Sequence, residues 1–193
     1  MKKYCRTINY ISGANQKEKN DYKNQTYDLI VDLLDGYPRI NDRDYSSFDD
    51  WHKEAIKRII DKSKEYPKLF EENHIIVGQA QKWLNMSIKY MRMMGILNND
   101  IDLESIHIPI DNYIVDAANK AGRISKLFEV EGLGIKPALD KKWSLIKDYE
   151  VYSDYQEKIR EALKVRDYAP IDWEEEAWMA EATIRDNKKK RFP

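Results

Sequence analysis

The sequence predicts an all-α protein, and three observations carry that prediction. Apolar residues recur every three or four positions in several windows of the chain, which is the spacing of one helix face. Residues that commonly cap helices, such as Ser and Asp, stand just before some of these windows. Seven Gly and six Pro among 193 residues are few for a β protein built on many turns.

The first two helices are expected within residues 20–36 and 47–66, after about fifteen irregular residues. The stretch NDYKNQTYDLIVDLLDG has Leu and Ile at helical spacing, and Gly36 and Pro38 are stop signals. The stretch SFDDWHKEAIKRIIDKSKEYP begins with Ser47 and Asp50 in a capping-box arrangement. Its apolar face consists of Trp51, Ala55, Ile56, Ile59 and Ile60.

A third helix is expected over about 75–94, ending at Gly95, and it carries two stripes. One is apolar and includes Ala80 and Leu84. The other is polar, and at 100° per residue Lys82 lies about 160° from Leu84. The polar stripe consists of Lys82, Asn85, Lys89 and Arg92.

The second half of the chain is expected to add three helices. Asp111 stands at an N-cap position, and a helix follows it to Gly122. A loop with a short helix around Trp143 leads to a helix over 151–165, and a final helix has a capping box at Asp172 and Glu175. We expect one helical domain over residues 1–184, which can be built as two lobes with a cleft between them, and a disordered basic tail over 185–193.

Composition excludes several classes of protein. Cys5 is the only cysteine, which leaves no disulfide framework and no cysteine-based metal site within this chain. The three histidines His52, His74 and His107 show no ligand spacing, so we predict no metal and no cofactor. The N-terminus lacks a signal-peptide core and no apolar run is long enough to span a membrane, so a cytoplasmic protein without a membrane partner is expected. A net charge of −1 argues against indiscriminate nucleic-acid binding.

Lys82 and Asp111 are the two residues that could carry chemistry. Taken singly, Lys82 fits a solvated helix face and Asp111 fits an ordinary helix cap. Their combination suggests more, because a lysine amine and a nearby carboxylate can cooperate in covalent catalysis. Both interpretations stay open on the residues alone.

The segments GQAQK (residues 78–82) and HIPIDNYIV (residues 107–115) resemble the helix-hairpin-helix DNA glycosylases. The first is similar to that family's hairpin ending in its lysine, and the second to the segment that presents its aspartate. The archaeal 8-oxoguanine DNA glycosylase branch is the most similar, and the stretch APIDWEEEAWMAEA is similar to its last helix, with a tryptophan matching Trp178. The resemblance covers roughly residues 75–120 and 168–184.

The resemblance implies a two-lobed helical glycosylase fold and a damaged-DNA substrate. Lys82 would be the nucleophile that forms a Schiff base, and Asp111 would assist it. Backbone amides at Gly78 and Ala80 would hold a phosphate, with further contacts from Lys89 and Arg92. Trp178 would stack on an extruded base, although a large aromatic in a small helical protein is more often part of the core.

The sequence departs from the family pattern at Ala80, where a second glycine is expected, and at Trp83, where the family has a small residue. Two other functions therefore stay open. One is a non-catalytic module of the same fold that binds nucleic acid or protein, such as an accessory of a defence or mobile-element system. The other is a helical interaction protein with no relation to repair.

Overall fold

A computed structural model describes residues 8, 10–36, 47–96, 102–125, 127–136 and 142–187, with the backbone of 188–191. This part of the chain is mostly helical, which confirms the all-α expectation in its main feature. Its elements in chain order are α1 (Gln16–Asp35), α2 (Phe48–Lys64), α3 (Val77–Met93), α4 (Asn112–Asn119), β1 (Ala121–Arg123), β2 (Glu131–Leu133), α5 (Tyr149–Lys164) and α6 (Pro170–Arg191).

The chain divides into two compact units, Met1–Ile101 with Ser144–Tyr149, and Asp102–Trp143 with Glu150–Pro193. In the first unit α1, α2 and α3 pack against one another. Their inward faces follow the apolar spacing of the sequence, because helical periodicity places such residues on one side. The fully buried side chains of this core include Tyr22, Trp51, Ile56, Ile59, Ala80, Leu84 and Ile88.

Local capping explains where the first helices begin. The Asn15 side chain accepts a hydrogen bond from the Lys17 amide at 2.8 Å, and the Ser47 hydroxyl accepts one from the Asp50 amide at 3.3 Å. Each bond satisfies an amide that has no partner within the helix. The predicted cap at Ser47 is confirmed.

The second unit contains a β-hairpin that was not expected. We predicted that the helix after Asp111 would reach Gly122, but α4 ends at Asn119 and the next residues form β1. β1 pairs with β2 antiparallel, with Gly122 opposite Gly132. The chain leaves the helix at Lys120, whose ψ of 133° is extended, so Gly122 lies within a strand and not at a helix end.

The last helix differs from the prediction at both ends. It begins at Pro170 rather than after Asp172, since proline fits the first helical position, where no amide partner is needed. The amides of Asp172 and Trp173 both donate to the Ala169 carbonyl. At its other end α6 continues past residue 184 to Arg191, into the segment expected to be a disordered tail.

Within the described residues, none of the helices offers an apolar stretch long enough to cross a bilayer. Cys5, Pro38 and the last two residues of the expected tail lie outside the described residues.

Candidate active site

The segment that leads to Asp111 is extended and completely buried. Its five residues, from Ile106 to Ile110, are all buried, and a buried backbone must find hydrogen-bond partners. Gln156 of α5 supplies both partners of Ile108: its amide nitrogen donates to the Ile108 carbonyl at 2.7 Å and its amide oxygen accepts from the Ile108 amide at 3.2 Å. The Gln156 side chain therefore completes the backbone hydrogen bonding of Ile108 as a neighbouring strand would.

A second side chain of α5 reinforces this arrangement. The Tyr152 hydroxyl accepts a hydrogen bond from Gln156 at 3.0 Å and lies 3.1 Å from His107 Nδ1. All three side chains are fully buried. His107 is thus part of the buried hydrogen-bond network beneath the segment that ends in Asp111.

Asp111 is the N-cap of α4, as predicted. Its Oδ1 accepts hydrogen bonds from the amides of Tyr113 at 2.9 Å and Ile114 at 3.1 Å. Its other carboxylate oxygen, Oδ2, accepts a hydrogen bond from the Trp178 indole Nε1 at 3.2 Å. The carboxylate is therefore held in one orientation by α4 and α6 together.

Trp178 has a half-buried position beside Asp111, so it is neither a core tryptophan nor a freely exposed one. Its ring lies 5.2 Å from that of Tyr113. The Arg185 guanidinium stacks over the Tyr113 ring, 4.0 Å from its centroid, and pairs with the Asp116 carboxylate. A row of planar groups, Trp178, Tyr113 and Arg185, thus follows the surface where α6 packs on α4.

Lys82 belongs to the first unit, whereas Asp111 and Trp178 belong to the second. Lys82 is half-buried in the second turn of α3. Lys89 is also half-buried, and Arg92 is exposed. Lys82, Lys89 and Arg92 therefore lie on the polar side of α3, as the sequence predicted.

Asn85 was placed on the same polar stripe, and there the prediction was wrong. Its side chain is fully buried, because it is part of a chain of polar groups inside the first unit. Gln81 donates to the Gly78 carbonyl at 3.0 Å, and Asn85 donates to the Gln81 amide oxygen at 3.2 Å. The Asn85 oxygen then faces His52 Nε2 at 2.8 Å.

The Gly78 carbonyl fixes the direction of this chain. A carbonyl can only accept, so the Gln81 amide must present its nitrogen there and its oxygen to Asn85. Asn85 in turn presents its oxygen to His52, which assigns the imidazole proton to Nε2. The remaining nitrogen, Nδ1, lies 2.9 Å from the Tyr149 hydroxyl, which is also within 3.3 Å of the Asp49 carbonyl oxygen. The sequence does indicate the contact between Gln81 and Asn85, because residues four positions apart are neighbours on a helix.

The amides proposed for phosphate binding are already engaged. The Gly78 amide donates to the Ile146 carbonyl at 2.9 Å and the Ala80 amide donates to the Ile76 carbonyl at 3.0 Å. Both residues are buried. In this conformation a phosphate at Gly78 would have to displace Ile146, and the Ala80 amide is part of the helix.

Trp83 packs towards α1. Its ring stacks on that of Tyr22 with centroids 5.8 Å apart, and Tyr22 also contacts Tyr66 and Phe70 edge-on. The large residue that departs from the family pattern thus forms part of the α1–α3 interface. This contact gives α1, which the resemblance did not cover, a defined structural role.

Within the described residues, no three His, Cys, Asp or Glu side chains are grouped closely enough to hold a metal ion. In comparisons with known proteins, no family model, no curated protein and no solved structure matches this chain.

Proposed function

We propose that the protein is a base-excision DNA glycosylase with associated AP lyase activity, in which Lys82 is the nucleophile and Asp111 its partner. The contact between Trp178 and Asp111 is the observation that supports this function. The resemblance assigns both residues to one base-binding site, although they are 67 positions apart in the sequence. Their separation along the sequence gave no reason to expect these two side chains to meet.

The chemistry needs a neutral amine and a site for an extruded nucleotide. The Lys82 nitrogen bonds to the sugar C1′ as the bond between C1′ and the damaged base breaks, and the base leaves with the electron pair. Ring opening and loss of a proton give a Schiff base. Removal of a C2′ proton then expels the 3′ phosphate and cleaves the strand. The mechanism requires the Lys82 amine and the Asp111 carboxylate to reach the same sugar.

The hydrogen bonds of Asp111 favour a role in stabilising positive charge over a role in accepting the proton of the amine. A carboxylate that accepts bonds from two amides and an indole is fixed in direction. Such a group is suited to stabilising positive charge that develops on the sugar. Trp178 then positions this carboxylate, and its half-buried ring is available beside it for contact with a base.

A second candidate function is a non-catalytic module of the same fold that binds nucleic acid or protein. The engaged amides of Gly78 and Ala80 favour it, because they leave no ready-made phosphate site at the start of α3. Within this alternative the net charge of −1 favours a protein partner, since affinity for DNA comes largely from cationic contacts with phosphates.

Borohydride trapping on a panel of duplexes with damaged bases separates the two functions. If the enzyme proposal is correct, reduction yields a covalent protein–DNA adduct that is lost in Lys82→Gln. The control is Lys62→Gln, which removes a half-buried lysine from α2 of the same unit and should keep the adduct. No adduct on any lesion, or an adduct that persists in Lys82→Gln, would reject the proposed mechanism.

A further inference from the structure

The second unit has an open depression on the outer side of α6. It has a volume of about 410 Å³ and lies between the first turns of α6 and the loop that joins β1 to β2. Two apolar side chains and three carboxylates line it: Phe128, Met179, Asp172, Glu175 and Glu176. An apolar surface ringed by one sign of charge suits a binding partner of the opposite charge.

The apolar part of this surface is open to solvent. Met179 is 48% exposed, and Leu127, which precedes Phe128 in the same loop, is 73% exposed. Negative charge dominates its surroundings: partial burial, a hydrogen bond to Glu176 and the charges of Glu176 and Asp172 raise the pKa of Tyr168 to about 12. Within the part of the chain that the structure describes, Glu175 and Glu176 form no ion pair with a cation.

The complementary charge lies at the other end of the same helix. The last turn of α6 has the sequence KKKR, Lys188 to Arg191, and the backbone stays helical through it. A helix that is acidic in its first half and basic at its end matches a second copy of itself placed antiparallel. We infer that α6 is a self-association surface, in which the acidic depression of one copy receives the basic end of α6 from a second copy.

Helix geometry makes this pairing consistent. Asp172 and Lys190 are 18 positions apart, which is about five turns at 3.6 residues per turn, so these two backbone positions lie on the same side of the helix. An antiparallel register that sets Glu175 opposite Lys190 also sets Glu176 opposite Lys189. The same register sets Ala182 opposite Thr183 at the crossing point, where small residues let two helices approach closely. Twofold symmetry forms each charged contact twice.

The association is weak and salt-dependent, because each exposed ion pair contributes little and is screened by salt. Sedimentation velocity at about 100 µM protein tests it. We expect reversible dimers at about 50 mM salt and a dissociation constant at least about tenfold higher at about 500 mM salt. A monomer under both conditions would overturn the inference.

Charge reversal identifies the surface. Glu175→Lys with Glu176→Lys makes both ends of α6 basic, and Lys189→Glu with Lys190→Glu makes both ends acidic, so each double variant alone should be monomeric. Mixed in equal amounts, the two variants should form a heterodimer, because every contact again joins opposite charges. Failure of the mixture to associate would contradict the inference, including the case in which the acidic depression serves a different basic protein.

A matched control carries the same change in charge elsewhere in the second unit. Glu150→Lys with Glu161→Lys alters two exposed residues of α5 and should leave dimerisation unchanged. Circular dichroism of all variants checks that they fold. If the α5 control also abolishes association, net charge rather than the α6 surface is responsible. The test involves neither Lys82 nor Asp111, so its outcome is independent of the proposed enzyme function.

Discussion

The Trp178 indole donates a hydrogen bond to Oδ2 of Asp111 at 3.2 Å, while Oδ1 of the same carboxylate caps α4. One side chain therefore ends the buried segment before it, begins a helix after it and binds a tryptophan from α6. An ordinary helix cap needs only the contacts with the first amides of α4. The additional contact makes Asp111 worth testing for stability as well as for chemistry.

Replacing Asp111 should separate its two contacts. Asp111→Ala loses the cap and the bond to Trp178, each worth about 1 kcal/mol, so the free energy of unfolding should fall by about 2 kcal/mol. Asp111→Ser keeps a capping oxygen and should lose about half as much. Urea denaturation measures both. Equal losses in the two variants would mean that the cap contributes nothing, and no loss in Asp111→Ser would mean that the bond to Trp178 contributes nothing.

Gly132 should not tolerate any side chain. A Cβ there would lie 2.1 Å from the Lys120 carbonyl oxygen and 2.7 Å from that of Ala117, and backbone atoms cannot move aside cheaply. Gly132→Ala should therefore cost about 3 kcal/mol or more, or unfold the hairpin.

The control for this substitution is Gly122→Ala, at the paired position of β1. Its Cβ would meet no atom within 4 Å, and only its φ of +75° opposes a side chain, at a cost of about 1 kcal/mol. Thermal unfolding should rank the wild type above Gly122→Ala and Gly122→Ala above Gly132→Ala. The reverse order of the two variants would refute the close approach at Gly132.

The polar chain through Asn85 should make this residue sensitive to an apolar substitution of similar size. Asn85→Leu removes the hydrogen bonds that Asn85 makes with His52 Nε2 and with the Gln81 oxygen, two buried groups. We expect a loss of about 2–4 kcal/mol. Arg92→Leu, at an exposed position of the same helix, should change stability by about 0.5 kcal/mol or less. Chemical denaturation that shows Asn85→Leu to be neutral would mean that the chain does not stabilise α2 against α3.

Alkaline pH should destabilise the second unit through Tyr155. Burial, with the Asp116 charge in second place, raises the pKa of Tyr155 above its ordinary value of 10.0. Its contribution is fully present below pH 10 and is lost as pH rises further, because the unfolded chain releases this proton first. The free energy of unfolding should therefore fall as the pH rises from about 10 to about 11.

Tyr155→Phe tests the residue behind that fall. This variant also loses the hydrogen bond from the Tyr155 hydroxyl to Asn119 at 3.1 Å, so it should be less stable at pH 8 but lose less stability on going to pH 11. Tyr27→Phe, at an exposed position, is the control. An identical slope for Tyr155→Phe and the wild type would show that another group is responsible.

Local sequence signals determined much of the fold. The apolar spacing of α1, α2 and α3 and the caps at Ser47 and Asp111 act over a few residues, so they can be read without knowing the fold. The prediction that residue 122 ends a helix failed because the hairpin depends on a distant pairing. The signal for β2 is only three residues long, too short for periodicity to reveal.

Tertiary structure alone decided which polar residues are buried and which side chains meet. Asn85 has the sequence position of a surface residue, and hydrogen bonds with His52 from α2 and with Gln81 make its burial favourable. Gln156 lies 48 positions from Ile108, and Trp178 lies 67 from Asp111. Such contacts depend on how the helices pack, and the type and local spacing of residues do not reveal that packing. The sequence by itself determined the helices and the cap at Asp111, whereas packing determined what surrounds that cap.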